Sequence, residues 1–294
     1  MHRRNFVKST VLATGALAFP SSVFPKDLFL GSIDKLGVQI YTVRNELGKD
    51  FEGTIKQLAG IGYDYLELFN YVDGKVYDND VSQLNKIFKD NDVVAKSLHI
   101  GTGITSPDVK GTLTNGWDKA VEDGANMGLE YMVCAYLAEP ERKTLDQYKE
   151  HAELFNKSGE IAKKHGIQFA YHNHSFEFDK IDGQVPYDLL LKETDPDLVK
   201  MEVDLYWMTK GGQDPVSYFK QHPGRFALWH VKDMSAKDQF FTEVGNGTID
   251  WAKIFANKDK AGMKYFFVEQ DRCRDHTPIE SLKISYDYLK QLKF

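Results

Sequence analysis

The chain has 294 residues, of which 42% are hydrophobic and 27% charged, with a formal net charge of −6. That length suits one large domain, and the acidic balance, with no long basic stretch, argues against an extended nucleic-acid groove. Its two cysteines, Cys134 and Cys273, fall in predicted strands and are expected to pack rather than to react or pair.

Residues 1–25 stand apart. Arg3 and Arg4 are followed by Phe6, Lys8 and a mildly apolar stretch that ends in Ala-Leu-Ala. This is the layout of a twin-arginine export signal, so the protein is expected to be exported in folded form, to the periplasm. The alternative is an ordinary basic first helix. The apolar part is too short to span a bilayer, so no stable membrane insertion is expected.

From Leu36 onward, strand-like and helical patterns alternate without a linker or low-complexity break. Strand runs are predicted at 36–43, 63–69, 93–100, 131–137, 167–174, 199–207, 226–233 and 264–271. Helical patterns follow each, for example LDQYKEHAELFNKSGEIAKKHG, with apolar residues three and four apart. Gly60, Gly62, Gly124, Gly128, Gly166 and Gly262 are placed at helix ends, where a left-handed cap favours glycine. Eight such units predict a single (β/α)8 TIM barrel over residues 34–294, in the α/β class.

The later strands end in ionisable residues: AYHNHSFEF (170–178), MEVDLYW (201–207), LWHVKDM (228–234) and FFVEQDR (266–272). In a parallel barrel these ends meet at one face. Alternation puts His172 and His174 on the interior of one strand, Glu202 and Asp204 on the next, then His230 with Lys232, and Glu269 with Asp271. The same parity places Glu67 at the mouth of the second strand and His99 near the end of the third. His172, Asp204, His230 and Glu269 together would make a mixed nitrogen and oxygen site for one divalent metal. So many inward titratable groups are costly unless they have work to do.

At this point the chain resembles the sugar phosphate isomerase/epimerase group of the xylose-isomerase-like barrel superfamily, related to ketose 3-epimerases and inosose dehydratase. The resemblance covers about residues 34–294 and rests on YHNHSFEF, EVDLYW, HVKD, VGNGTIDW (244–251) and the final VEQD. It implies a divalent ion held by His172, Asp204, His230 and Glu269. It also implies a homo-oligomer, since relatives are often dimers or tetramers, though no stripe in the sequence marks an interface. Related epimerases usually carry glutamate at position 172. The histidine here leaves two carboxylate charges to balance the ion and shifts preference from magnesium toward manganese, cobalt, iron, nickel or zinc. It also removes one of the two metal-bound glutamates that relatives use on opposite faces of the sugar. Either Glu177 or His174 takes that second role, or the reaction is an elimination from a 3-keto-sugar or keto-glycoside.

The expected chemistry is proton abstraction beside the carbonyl of a non-phosphorylated sugar, with Glu269 or Glu177 as base and Lys232 binding or protonating an oxygen. Lys232 could instead simply pair with Asp233 or Asp271. Arg272 and Glu67 are expected to hydrogen-bond hydroxyls, Trp207 or Tyr41 to offer a flat wall, and His99 and His174 to bind substrate or support a ligand. Glu202, one layer deeper, would orient a ligand. His151, His165, His222 and His276 are expected to be solvated. Gly245-Asn246-Gly247 reads as a turn capping a helix near Ile249 rather than a phosphate loop. The leading function is a metal-dependent sugar isomerase or epimerase. The alternatives are a keto-glycoside lyase, hydrolase or dehydratase on the same site, and a non-catalytic sugar-binding barrel. An apurinic-site endonuclease is disfavoured by the acidic charge.

Overall fold

The computed structural model describes residues 31–294, and the expected signal over 1–25 lies outside the described residues. Eight parallel strands close into a barrel. They are β1 (Gly37–Gln39), β2 (Tyr65–Leu68), β3 (Val94–Ile100), β4 (Tyr131–Cys134), β5 (Gln168–His172), β6 (Val199–Asp204), β7 (Leu228–Val231) and β8 (Tyr265–Val268). Each pairs with its neighbours in sequence, and β8 closes on β1 with Gly37 opposite Phe267. The principal helices that follow them are α1 (Phe51–Ile61), α2 (Val81–Asp90), α3 (Trp117–Asn126), α4 (Leu145–Lys164), α5 (Pro186–Glu193), α6 (Pro215–Gln221), α7 (Trp251–Phe255) and α8 (Pro278–Gln291). The TIM barrel expected from the alternating pattern is therefore present. No helix among the described residues is long and apolar enough to cross a membrane.

Local chemistry sets the helix ends. Asp80 with Gln83, Thr144 with Gln147 and Thr277 with Glu280 form capping boxes that satisfy first-turn amides of α2, α4 and α8. Gly62, Gly128, Gly166 and Gly262 have positive φ at helix ends, as expected. Gly60 and Gly124 do not, because both sit inside helices. A Cβ on Gly124 would lie 2.8 Å from Met132 Sδ, so there the glycine lets α3 approach β4 closely.

Strand alternation sorts the barrel into layers. Outward residues such as Phe169, Tyr171, Met201, Val203, Trp229 and Val231 are fully buried in the main core. Inward residues Tyr131, Val133, Ala170, Leu228 and Phe267 form a separate apolar plug. Above it, Gln39, Glu67, Ser97, Glu202 and His230 are fully buried, with His99 among them. Higher still come His172, Asp204, Lys232 and Glu269. This is the layered interior of a parallel barrel, with its buried titratable groups above the apolar plug, toward the carboxyl ends of the strands.

Some expectations fail for local reasons. The first strand stops at Gln39, whose side chain caps a turn over Ile40–Val43. Beyond Asp204 the chain is helical over Leu205–Lys210, because the Asp204 carboxylate accepts the Trp207 amide. Cys273 lies in a loop after β8, while Cys134 is buried in β4, and both are free. His151 is not solvated. It is buried in α4, and its Nε2 donates to Glu141 O at 2.8 Å. His165 and His276 are exposed and His222 half-buried. The Gly245–Gly247 turn wraps Asp233, whose carboxylate accepts the amides of Met234, Gly245 and Ile249 and the Trp251 indole N–H. The helix after it starts at Trp251 and is capped by Asp250.

Candidate active site and metal centre

His172, Asp204, His230 and Glu269 converge at the carboxyl ends of β5 to β8. One ligand atom from each lies within 4.8 Å of all the others, and all four residues are buried. Both imidazoles are held from behind. His172 Nδ1 donates to Ala135 O at 3.0 Å, and His230 Nε2 donates to Glu67 Oε1 at 2.5 Å. Each ring therefore turns its other nitrogen toward the site, as metal-binding histidines do. The Asp204 Oδ1 atom is committed to the Trp207 amide, which leaves Oδ2 facing inward.

The donor set fits a cation. Burial, reinforced by repulsion from His230, lowers the His172 pKa to about 4, so the ring is neutral near pH 7. With its proton on Nδ1, its bare Nε2 faces Asp204 Oδ2 at 3.3 Å. Two acceptors then oppose each other in a dry site, an arrangement that a cation between them relieves. His230 Nδ1 lies 2.8 Å from Glu269 Oε2 yet makes no aligned hydrogen bond. Burial acts to raise Asp204, but the Lys232 ammonium above all, with His230, outweighs it and holds the carboxyl at about 2. Glu269 is likewise held well below the usual range by Lys232 and His230 against the effect of burial. Two imidazoles and two ionised carboxylates suit zinc, manganese, cobalt or iron better than magnesium.

Lys232 sits beside these ligands. Its Nζ lies 2.8 Å from Asp204 Oδ2, 2.6 Å from Glu269 Oε2 and 2.8 Å from Asp271 Oδ2. Burial opposes its charge, but the three carboxylates hold the ammonium protonated. Of the partners expected for Lys232, Asp271 is correct and Asp233 is not. Asp271 lines the cavity and is a member of the site that the candidate set omitted. Its parity with Glu269 was the signal.

Below the mouth is a second cluster. His99 Nε2 lies 2.6 Å from Glu202 Oε2 and 3.1 Å from Glu67 Oε1. Glu202 occupies the deeper position expected of it, but Glu67 does not stand at the mouth. A register shift between Leu66 and Glu67 in the β2–β3 pairing sets Glu67 opposite Ser97, fully buried, where it supports His230 and accepts from Gln39 Nε2 at 2.8 Å. It therefore cannot meet a substrate hydroxyl. The four residues of this lower cluster also satisfy a metal-ligand geometry. Their contacts follow N–H to carboxylate lines, so protons already link them, and His230 joins the two clusters through opposite nitrogens.

A cavity of about 590 Å³ opens over the mouth. Tyr41, His99, His172, His174, Lys232, Glu269 and Asp271 line it. Burial, with the Lys232 ammonium nearby, keeps His174 well below the ordinary histidine range, so it meets the cavity neutral. Besides Glu67, three more expected site residues fall elsewhere. Glu177 is fully buried behind β5, in the turn Phe176–Phe178, where the Tyr171 hydroxyl and the His174 amide donate to it. Arg272 is exposed and outside the cavity lining. Trp207 packs against His174, with ring centroids 5.5 Å apart, rather than forming a cavity wall.

Fold and site together define a parallel β/α barrel with a candidate metal centre at the carboxyl ends of its strands. A family model described as Xylose isomerase-like TIM barrel matches residues 55–292, and the chain belongs to that family. A solved sugar phosphate isomerase/epimerase from Parabacteroides distasonis ATCC 8503 is 30% identical, with a TM-score of 0.76 over 92% of this chain and 98% of that one. The inosose dehydratase of Clostridium tetani (strain Massachusetts / E88) is 26% identical over 168 residues, 50% of this chain and 55% of that protein. The chain thus spans about half the length of the curated relatives it matches. The IOLI protein, solved with a binding zinc atom, has a TM-score of 0.65 at 16% identity over 86% of this chain and 96% of that one, a likeness of fold alone.

Proposed function

We propose that this protein is a metal-dependent lyase acting on non-phosphorylated keto-sugars, removing a proton beside the carbonyl and expelling an oxygen from the neighbouring carbon. The observation that carries the reading is the contact of Lys232 Nζ with Glu269 Oε2 and Asp271 Oδ2 beside the four candidate ligands. A divalent ion held by His172, Asp204, His230 and Glu269 would supply Lewis-acid polarisation of the carbonyl. Glu269 takes the α-proton. The electron pair left behind forms the carbon–carbon double bond as the carbon–oxygen bond next to it breaks. Lys232 delivers a proton to the departing oxygen, and the proton on Glu269 resets the pair. Tyr41 and neutral His174 present uncharged walls to the ring.

Elimination is favoured over epimerisation because a single carboxylate base faces the cavity from the ligand set. Histidine occupies position 172, and Glu177, the other candidate, is sealed behind β5. The similarity to inosose dehydratases supports the same choice, although it spans only about half of those proteins. The scarcity of cationic side chains in the cavity supports a substrate without phosphate, since Lys232 is its one lysine or arginine and is already shared by three carboxylates.

The test is proton NMR of zinc- or manganese-loaded protein with 3-keto-sugars and 3-keto-glycosides in deuterium oxide. Release of the β-oxygen group together with loss of one α-proton is expected. An inverted sugar carrying deuterium, with nothing released, would replace this reading with an epimerase. The export reading of residues 1–25 belongs to the same proposal, and replacing Arg3 and Arg4 by lysine is expected to retain the protein inside the cell.

A further inference from the structure

The metal side accounts for only one end of the cavity. The rest extends outward between Phe69 and Tyr71 after β2, the loop 101–112 after β3, and Tyr136 after β4. A volume of about 590 Å³ lies well within the range of sites that enclose drug-sized ligands, more than a single sugar ring requires.

This outer lobe is firmly built. Thr102 Oγ1 donates to Glu141 Oε2 at 2.8 Å, and the Thr105 amide donates to Glu141 Oε1 at 3.2 Å, with Glu141 itself 4% exposed. Leu113 N bonds Gly101 O at 3.1 Å and Thr114 N bonds Thr102 O at 3.1 Å, tying the far end of the loop to its start. Gly111 has positive φ, and a Cβ there would lie 2.3 Å from the Tyr71 ring, so the loop is seated directly on that aromatic.

The lobe is also apolar where it meets water. Six large hydrophobic residues are exposed among the described residues, and two of them, Val109 (38%) and Tyr136 (45%), line this cavity. A third, Ile104, lies on the same loop and lines an adjoining small pocket shared with Thr105 and Glu141. Three of the six large exposed hydrophobics thus lie on or directly beside this lobe, and such clustering marks a binding surface. The lobe contributes no lysine or arginine, so a charged phosphate or nucleotide finds no partner there.

We infer that the outer lobe is a subsite for an uncharged, flat, apolar aglycone, so that the substrate is an aryl glycoside whose sugar ring sits at the metal end. The inference rests on the keto-sugar reading above, with the aglycone carried by the oxygen that departs. Continuity of the two ends within one cavity supports a single ligand spanning both.

The test is calorimetric titration of the full, zinc-loaded protein with phenyl and methyl D-glucopyranosides in both anomeric forms. They lack the ring carbonyl and so report binding without turnover. The phenyl glycoside is expected to bind at least tenfold tighter than the methyl one, equivalent to about 1.4 kcal/mol. Val109→Asp, at an exposed loop position, is expected to cut that preference to about twofold or less and to leave the methyl glycoside unchanged. Equal affinities, no binding of either, or a preference that survives both Val109→Asp and Tyr136→Ala would overturn the subsite. Tight phenyl glycoside binding without turnover of any keto-sugar would overturn the lyase reading and leave the subsite standing. Turnover of keto-sugars with no aryl preference would do the reverse.

Discussion

Glu67 Oε1 lies 2.5 Å from His230 Nε2 and joins residues 163 positions apart, while Gln39 donates to the same oxygen. This contact decides which nitrogen His230 offers to the mouth. With Nε2–H held from below, Nδ1 is left for an ion beside Glu269.

Replacing Glu67 by glutamine should therefore weaken metal binding without removing a ligand. The expected loss is roughly 10–100-fold, the usual effect of disturbing a histidine's supporting partner. Competition with a chromophoric chelator measures it. Affinity equal to wild type would mean that Glu67 does not orient His230.

Lys232→Met should expose the cost of three carboxylates without their cation. Breaking a buried pair typically costs about 3–5 kcal/mol. The melting temperature of metal-free protein should drop accordingly, with added zinc recovering part of the loss because it also neutralises Asp204 and Glu269. Release of the leaving group should slow by about 10²-fold or more, as for a lost general acid. An unchanged rate would leave Lys232 a purely structural cation.

Glu177 supplies a pH dependence outside the site. Burial pushes its carboxyl up to about 7, against the lowering effect of the Tyr171 hydrogen bond. A raised folded-state pKa means that its contribution is fully present below the unfolded value and is lost as pH rises through about 7. Between pH 5 and 8 this amounts to roughly 3 kcal/mol. Glu177→Gln should flatten that part of the stability profile, since the Tyr171 hydroxyl can accept from an amide as readily as it donates. Identical slopes in urea titrations of both proteins would contradict the assignment.

Asp233→Asn tests the turn that carries Gly245 and Gly247. The carboxylate accepts four donors, and an amide nitrogen there would confront at least one of them. The expected loss is about 2–3 kcal/mol, or roughly 5–10 °C in melting temperature, with metal affinity unchanged.

Strand alternation made the barrel and the inward side chains legible in the sequence. His172, Asp204, His230 and Glu269 meet as their parity requires. Parity gives the face of a strand but not the depth along the barrel. Glu67 was expected at the mouth and lies in the lower layer, because the irregular β2–β3 pairing sets it opposite Ser97. Residues just past the strand ends were harder still. Glu177 and Trp207 follow β5 and β6 by a few residues, but helical turns carry both out of the cavity wall, and Arg272 points to solvent. His151 looked like a surface histidine because it sits in a long polar helix, yet its partner is a backbone carbonyl ten residues earlier. The outer lobe left no periodic signal, since loop contacts such as Thr102 with Glu141 join different βα units.

The most direct test of the account is the metal content of protein purified without chelator or added metal, set against His172→Ala and Glu269→Gln, by elemental mass spectrometry. About one divalent ion per chain in the wild type, depleted in both variants while their folds persist by circular dichroism, is the predicted result. No ion in the wild type, even after incubation with zinc or manganese, would contradict the metal centre and with it the elimination chemistry built around it.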